Sequence, residues 1–510
     1  MDKSNPSPLA RHRGDLLLPA GLALFKLLLH LPVLTRYGYH HDELYFIACG
    51  SHLSWGYVDH APLVPWIARL MTSLFGESLF ALRILAAAGS ALAVFLAGLL
   101  VRNLGGGRFA QALACLGMIV APVFLRTGNM LCLPAFEPLF WLLASILVVR
   151  VIQEENPRLW LWVGLIVGIG LLNKHSMAFF GFGLVIGLLL TPLRRHFTSP
   201  WLYAGGGLAL LIILPNLVWQ AQNGWPTVHF ILNLKEGVMS GISALQFLAG
   251  QLLYLHPFNV ILWIPGLAFF FRSDGGKKFR ILGLIWISVF LLLLLSKSKI
   301  YYLAPAYAAL LAGGGVAMEN WAGKGGRKRR RASLLALLII GGVLLGPLAL
   351  PVLDFPATES YARTITFGAF GNISEITTDM KSMFSWKKKL TAVASAYHSL
   401  TPAEKEKALI WAFGYGNAGA VDYFGGRYGL PKAVSLSYSY WLWGLPEGKG
   451  DVIVAMGIEK KQIEHVFEKV EVHSNVSLDP VLPWEDPFMI LICRHPKKPL
   501  QEIWQKNRPW

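Results

Sequence analysis

Long apolar runs separated by short polar or basic segments fill the first two thirds of the chain. Runs of about 17 to 25 residues, the length that crosses a bilayer, recur from Leu16 to about Leu350 and then stop. The pattern predicts eleven membrane-spanning helices, near residues 15–35, 81–101, 109–125, 136–152, 159–173, 175–192, 200–220, 246–271, 281–296, 301–318 and 333–352. These form a predicted membrane domain over residues 1–353.

The segment after residue 353 has a different pattern. Short apolar runs at 408–413, 451–456 and 488–493 have the length of strands, and they alternate with helix-like stretches at 417–423 and 460–467. This alternation predicts a water-soluble α/β domain over residues 354–510. The predicted fold class is therefore a polytopic α-helical membrane protein with a C-terminal α/β domain.

Basic residues indicate the orientation of the membrane domain. Cytoplasmic loops carry an excess of Lys and Arg, and here every second loop is basic, as is the N-terminus with Lys3, Arg11 and Arg13. The loops concerned contain Arg102, Arg108, Arg150, Arg158, Arg194, Arg195, Arg272, Lys277, Lys278, Arg280, Lys324 and the run 327–331. We therefore expect the first outer loop, 36–80, and the C-terminal domain to be extracytoplasmic.

Composition excludes two other classes of protein. Only 15% of the residues are charged and 54% are hydrophobic, whereas soluble chains are about one-quarter charged. The net charge of +17 does not indicate nucleic-acid binding, because the basic residues lie in short clusters between apolar runs. The four cysteines show no metal-ligand spacing.

The first outer loop concentrates acids and bases that the spans lack. It begins YHHDELY at 39–45 and continues WGYVDHAPL at 55–63, which brings Asp42, Glu43, Asp59 and His60 into one loop. A carboxylate near an apolar boundary has its pKa raised by desolvation, which suits it to accept a proton. An equally open alternative is that Asp42 only caps a helix. Amphipathic spacing also predicts that helices in this loop lie along the membrane interface.

These segments resemble a known family. The first-loop string from 42 to 63 is similar to the signature of bacterial relatives of protein O-mannosyltransferases and lipid A aminoarabinose transferases, in the GT-C superfamily. Further pieces agree in the same order: EPLFW at 137–141, GLLNK at 170–174, PNLVW at 215–219, NGWP at 223–226, YGNAGA at 415–420 and YWLWG at 440–444. Two positions differ from the pattern, because Ala61 replaces a common proline and Glu137 replaces an expected aspartate.

The resemblance implies a function. Members of the family transfer a sugar from a polyprenyl-phosphate donor to an extracytoplasmic acceptor, with a first-loop acid at the catalytic centre. Asp42 and Glu43 match that acidic pair, and Asp59 is a further candidate. We expect an inverting enzyme whose acceptor is lipid A, a lipid-linked glycan or a protein. No cofactor is certain, and a divalent metal stays open because histidines are available, namely His40, His41, His60 and His229.

The donor phosphate needs cationic or hydrogen-bonding partners. Lys174 is the strongest candidate, because a lone Lys between apolar spans is costly unless it reaches a partner or the interface. Further candidates for binding the phosphate or the substrate are Arg126, Lys297, Lys299, Tyr301, His60 and, less strongly, Glu137. The alternative for the cations is that they snorkel to lipid phosphates.

Two other interpretations of the sequence compete with a glycosyltransferase: a dinucleotide-binding site and a transporter. The segment GYGNAG at 414–419 has dinucleotide-binding spacing, but no acid follows in 434–440 to hold a ribose. We therefore favour a structural turn there. A transporter or lipid flippase would fit the span count, yet such proteins tend to have internal repeats and ionisable residues at mid-membrane, which this sequence does not show.

Overall fold

The computed structural model describes residues 16–237, 241–323, 327–365 and 378–509. Contacts divide the chain into two compact units. Unit 1 comprises Met1–Leu34, Arg83–Ala221 and Leu234–Asp354, and unit 2 comprises Thr35–Leu82, Gln222–Asn233 and Phe355–Trp510. The first outer loop therefore belongs to the same unit as the C-terminal residues, whereas the sequence predicts this loop as part of the membrane domain. The basic Lys3, Arg11, Arg13 and Lys324 lie outside the described residues.

Unit 1 is helical throughout its described part. Its helices are Leu17–His30, Leu79–Asn103, Arg108–Val120, Pro122–Thr127, Leu133–Glu154, Leu159–Asn173, Met177–Leu189, Pro200–Gln222, Ala244–Leu255, Val260–Arg272, Asp274–Lys277, Arg280–Leu295, Tyr307–Ala322 and Arg327–Ala349. Each of the predicted spans overlaps at least one of these helices, which confirms the mostly helical character that the apolar runs indicate.

Five helices in the described residues are long and apolar enough to cross a membrane, or seven if each of two bent pairs forms one span. Five shorter apolar helices accompany them, so the count of eleven stays a prediction. The predicted span over 246–271 corresponds to two helices, Ala244–Leu255 and Pro257–Arg272, between which the chain bends by 96°. Residues before proline avoid helical angles, and His256 there adopts a φ of 81°.

Small residues let helices of unit 1 approach closely. A side chain at Gly266 would clash with the carbonyl of Leu310, and one at Gly314 would clash with the carbonyl of Leu262. These two positions lie on the facing helices Val260–Arg272 and Tyr307–Ala322. Close backbone approach through glycine is typical of helix pairs in membranes, where the lipid leaves packing as a main source of association.

Unit 2 contains a five-stranded sheet. The strands are β1 Ala408–Ala412, β2 Ala433–Val434, β3 Val452–Met456, β4 Phe467–Val476 and β5 Phe488–Pro496, in the order β2-β1-β3-β5-β4. β1 is parallel to β2 and β3, whereas β5 is antiparallel to β3 and β4. The predicted α/β domain is confirmed, but the helix expected over 460–467 ends at Ile463 and is followed by β4.

Helices complete the described part of unit 2. They are His41–Ser51, Leu63–Phe75, Pro226–Glu236, Phe355–Ile365, Trp386–His398, Pro402–Lys407, Tyr415–Phe424, Ser439–Trp443, Lys460–Ile463 and Leu500–Lys506. The helix His41–Ser51, called the loop helix below, is buried from Glu43 to Gly50. Its Tyr45 and Cys49 belong to the same apolar core as the strands. The loop helix is thus enclosed by protein within unit 2. The expectation that helices of the first outer loop lie along the membrane interface stays a prediction.

Candidate active site

The N-terminus of the loop helix is capped by two residues other than Asp42. The Nδ1 atom of His40 accepts a hydrogen bond from the Asp42 backbone N–H at 3.1 Å, and Glu43 Oε2 accepts one from the His40 N–H at 2.9 Å. This is a capping box with a histidine at the N-cap. The capping alternative for Asp42 is therefore wrong, and the fully buried Glu43 is engaged in the cap.

Asp42 has one oxygen held and one oxygen open. The Tyr415 hydroxyl donates to Oδ1 at 2.8 Å, and Nε2 of His41 lies 3.1 Å from the same oxygen. Among the described residues, no group lies within hydrogen-bonding distance of Oδ2, since His40 Nδ1 is 3.8 Å away. The Asp42 side chain is 36% exposed. A substrate can therefore reach a carboxylate whose orientation is already fixed.

Histidines determine the protonation state of Asp42. Burial opposes ionisation, but the charges of His41 and His40 outweigh it, so the pKa of Asp42 lies well below its usual range. The pKa of His41 is raised, because the pull of Asp42 outweighs the effect of burial. Burial and the neighbouring His41 lower the pKa of His40 to about 4. Asp42 is therefore an ionised, weakly basic carboxylate, not the high-pKa acid that the sequence suggested.

Asp59 has the raised pKa that the sequence suggested for these acids. Its Oδ1 accepts a hydrogen bond from the Tyr45 hydroxyl at 2.9 Å, and the side chain is 16% exposed. Burial raises the pKa of Asp59, and the negative charge of Asp42 acts in the same direction. The adjacent His60 is buried, with Nδ1 3.0 Å from the Ala61 carbonyl. Asp59 is thus the better proton acceptor, and Asp42 is the more accessible carboxylate.

Glycines of the C-terminal domain explain how Tyr415 reaches Asp42. Tyr415 begins the helix Tyr415–Phe424, and a Cβ at Gly416 would lie 2.5 Å from Cβ of His41. A Cβ at Gly419 would lie 2.8 Å from the carbonyl of Leu44. Only glycine allows this approach to the loop helix. Gly416 and Gly419 thus serve helix packing, and the turn favoured from the sequence is formed by Gly414, which has a φ of +88°.

Three side chains of this cluster could contribute ligands to a metal. His40, His41 and Asp42 each offer one ligand atom, and these atoms lie within 4.8 Å of one another. Among the described residues, no hydrogen-bond partner reaches the buried Nε2 atom of His40 or the buried Nδ1 atom of His41. Imidazole and carboxylate ligands suit several divalent ions. His229, by contrast, is exposed on the helix Pro226–Glu236. A metal here stays a prediction.

In unit 1, Lys174 is paired with Glu137. The Lys174 Nζ atom lies 2.7 Å from Glu137 Oε2, and the Ser176 hydroxyl donates to Glu137 Oε1. The two charged side chains are 14% and 4% exposed. The ammonium also lies 5.2 Å and 4.4 Å from the ring centres of Tyr301 and Tyr302. Lys174 is thus held by a protein carboxylate in a cation–π cage, and Glu137 has a defined partner.

The other predicted cations of unit 1 occupy separate elements. Arg126 is half-buried in the helix Pro122–Thr127. Lys297 is exposed with a φ of 52°, and Lys299 is half-buried before a short turn of helix that contains Tyr301. Within the described ranges, Lys297 and Lys299 form no ion pair. The structure brings Tyr301 to Lys174, and the shared phosphate site stays a prediction.

Sequence reasoning missed Tyr415 and Tyr45 as partners of the two aspartates. Tyr415 lies 373 positions after Asp42 in the chain, so no local pattern could pair them. The one available signal was the string YGNAGA at 415–420, where a tyrosine precedes the two glycines. That string was part of the family resemblance without an assigned role.

The chain was compared with known protein families and with solved structures. Residues 59–219 match the family model described as dolichyl-phosphate-mannose-protein mannosyltransferase. The structure is similar to ArnT from Cupriavidus metallidurans bound to undecaprenyl phosphate, with a TM-score of 0.60 and 15% identity over 94% of this chain and 98% of ArnT. The apo form of that ArnT gives a TM-score of 0.58 at the same identity and coverage. A search of curated proteins found no significant match.

These comparisons agree with the long apolar helices of unit 1. The protein is an integral membrane protein with an ArnT-like fold and a small C-terminal sheet domain. The partial match to a mannosyltransferase model and the ArnT-like fold agree with the family resemblance that the sequence shows.

Proposed function

We propose that this protein is an inverting glycosyltransferase that moves a sugar from a polyprenyl-phosphate donor to an extracytoplasmic acceptor. The match to a mannosyltransferase model over 59–219 supports the reaction class. The ArnT to which the fold is similar was solved bound to undecaprenyl phosphate, which supports a donor of that chemistry. The acceptor is lipid A, a lipid-linked glycan or a protein.

The observation that carries the proposal is the state of Asp42. Its Oδ1 is held by Tyr415 and His41, and its side chain is partly exposed. In the reaction, an acceptor oxygen attacks the anomeric carbon, the bond from that carbon to the phosphate oxygen breaks, and the acceptor loses its proton. A preorganised carboxylate orients the acceptor hydroxyl and stabilises positive charge that develops on it and on the sugar.

The different pKa values of Asp42 and Asp59 suit the two residues to different roles in the reaction. The lowered pKa of Asp42 makes it a weak base, which suits it to accept a hydrogen bond and stay charged. The raised pKa of Asp59 makes that residue the better final proton acceptor. The leaving group is a phosphate, which needs no general acid. If the acceptor is itself an ionised phosphate, no base is needed and Asp42 acts through orientation alone.

Lys174 is our candidate for contacting the donor phosphate, with Arg126, Lys297, Lys299 and Tyr301 as further candidates. The pair with Glu137 limits what Lys174 can offer, because an incoming phosphate competes with a carboxylate already in place. A phosphate that binds there therefore shares the ammonium with Glu137.

The site faces away from the cytoplasm in this proposal, in the bacterial inner membrane. The support is the alternation of basic and non-basic loops along the chain. An alkaline phosphatase fused after residue 355 is expected to be active. An inactive fusion, with an active cytoplasmic reporter at the same position, would contradict the orientation.

Donor consumption tests the reaction itself. We expect purified protein in liposomes to convert the polyprenyl-phosphate sugars of a host membrane extract into free polyprenyl phosphate when host lipids and proteins supply the acceptor. A transporter or flippase would move the lipid between leaflets and leave its sugar attached. Absence of conversion, together with measured translocation of the lipid, would favour that alternative.

A further inference from the structure

Tyr415 occupies a central place in the aromatic surroundings of Asp42. Its ring centre lies 4.9 Å from that of Tyr45 and 5.2 Å from that of Tyr438, and burial raises its pKa well above the usual value. The hydroxyl donates a hydrogen bond to Oδ1 of Asp42 at 2.8 Å.

The position of this hydroxyl is fixed by backbone contacts. Gly416 and Gly419 pack against His41 and Leu44 of the loop helix without room for a side chain. The distance between the two helices is thus determined by main-chain atoms, which shift less readily than side chains. The C-terminal domain consequently delivers a single hydroxyl to Oδ1 of Asp42 with little freedom.

We propose that Tyr415 is a positioning residue for the transfer reaction, holding Oδ1 of Asp42 so that Oδ2 stays available to the acceptor. This inference rests on the proposed function. Without the hydroxyl, His41 is the one partner that the described residues leave to Oδ1, and the carboxylate can rotate to bring either oxygen to it. The acceptor then meets a carboxylate of variable orientation, which lowers the rate of the chemical step more than substrate binding.

A second phenol–carboxylate pair in the same unit provides a matched control. Tyr440 donates to Asp422 Oδ2 at 2.8 Å, the same distance as from Tyr415 to Asp42. Asp422 also accepts from the backbone N–H of Ala433, so this pair ties a helix to β2. The substitutions Tyr415→Phe and Tyr440→Phe each remove one hydroxyl from one carboxylate and leave the ring in place.

The test compares the two variants in the donor-conversion assay, with host polyprenyl-phosphate sugars as donor, and in thermal unfolding of the detergent-solubilised protein. We expect Tyr415→Phe to lower kcat by about tenfold to a hundredfold, as for a lost hydrogen bond to a charged group, with the KM for donor changed less than about threefold. We expect Tyr440→Phe to lower the unfolding temperature and leave kcat unchanged.

Three results would overturn the inference: a wild-type kcat for Tyr415→Phe, a loss confined to KM, or a kcat loss that Tyr440→Phe reproduces. Asp42→Asn is measured in parallel to separate the two proposals. If Asp42→Asn is inactive while Tyr415→Phe has wild-type kcat, only the positioning role fails. If Asp42→Asn is fully active, the proposed role of Asp42 fails first.

Discussion

Asp42 in unit 2 and Glu137 in unit 1 are both carboxylates with a cationic or imidazole neighbour, yet they differ in availability. Glu137 is 4% exposed and uses both oxygens, one toward Lys174 and one toward Ser176. Asp42 is 36% exposed and has its described hydrogen bonds on one oxygen. Both acids were candidates from the sequence, but of the two only Asp42 has a carboxylate oxygen without a hydrogen-bond partner among the described residues. This difference is why we propose Asp42, and not Glu137, for the catalytic role.

Asp42→Asn is expected to have the largest effect. The amide keeps the size of the side chain but loses the charge that orients the acceptor and stabilises the transition state, and we expect transfer to slow by about a hundredfold to a thousandfold. Since His40 and Glu43 form the cap, expression and unfolding temperature should stay near those of the wild type. Donor conversion by the purified variants measures this.

Glu43→Gln and Asp59→Asn serve as comparisons for that measurement. We expect Glu43→Gln to weaken the cap and to affect stability more than rate. If Asp42→Asn keeps near wild-type turnover while Asp59→Asn loses it, the central residue has been misassigned within the same cluster.

Lys174→Met tests whether Glu137 serves as the partner of a buried ion pair. It leaves the buried Glu137 without a counter-charge, so we expect a loss of about 3 to 5 kcal/mol in unfolding free energy. The double variant Lys174→Met with Glu137→Gln should recover most of this loss, because no unpaired charge remains. Chemical denaturation in detergent measures the stability.

The KM of the double variant for the donor then tests whether Lys174 contacts the donor phosphate. A raised KM for donor in this folded protein is expected if Lys174 contacts the phosphate. An unchanged KM would assign Lys174 to structure alone.

The sequence predicted the coarse architecture well because its signals are local. Apolar runs over 79–103 and 133–154 and the strand-like runs near 408 and 452 each depend on neighbouring residues only. The candidate site was predictable as a cluster, since Asp42 and Asp59 occupy one loop. Their opposite pKa shifts were not, because these depend on burial by segments far along the chain and on how closely the His41 side chain approaches Asp42.

Other misses have equally specific causes. Histidine seldom serves as an N-cap, so the capping box of His40 and Glu43 gave no sequence signal. The Lys174–Glu137 pair joins residues 37 positions apart on different helices. The bend at His256 depends on one residue with a positive φ inside an otherwise continuous apolar run.

A smaller effect is expected from the titration of His40. Its folded pKa of about 4 lies below the ordinary value of 6.5, so the unfolded chain binds the extra proton first as the pH falls. Stability should therefore decrease from about pH 6.5 down to about pH 4, by at most about 3 kcal/mol from this group. His40→Asn keeps a capping side chain and should flatten this part of the stability curve. An unchanged slope would contradict the assignment.

The smallest expected effect concerns the acid limb of the pH–rate profile, which is the range of low pH over which the transfer rate rises with pH. Asp59 must be ionised to accept a proton, and its raised pKa places this limb at higher pH than for an ordinary aspartate. Activity should rise as the pH rises through this pKa and then stay level. In Asp59→Asn the residual rate should lack that limb, whereas its retention would exclude Asp59 as the titrating group.

Mass spectrometry of surface glycolipids and glycoproteins tests the central claim most directly, in cells that lack the protein and carry either the wild type or Asp42→Asn. The account predicts a defined sugar addition with the wild type that is absent without the protein and absent with Asp42→Asn at equal expression. Identical glycolipid and glycoprotein profiles in all three strains would contradict it.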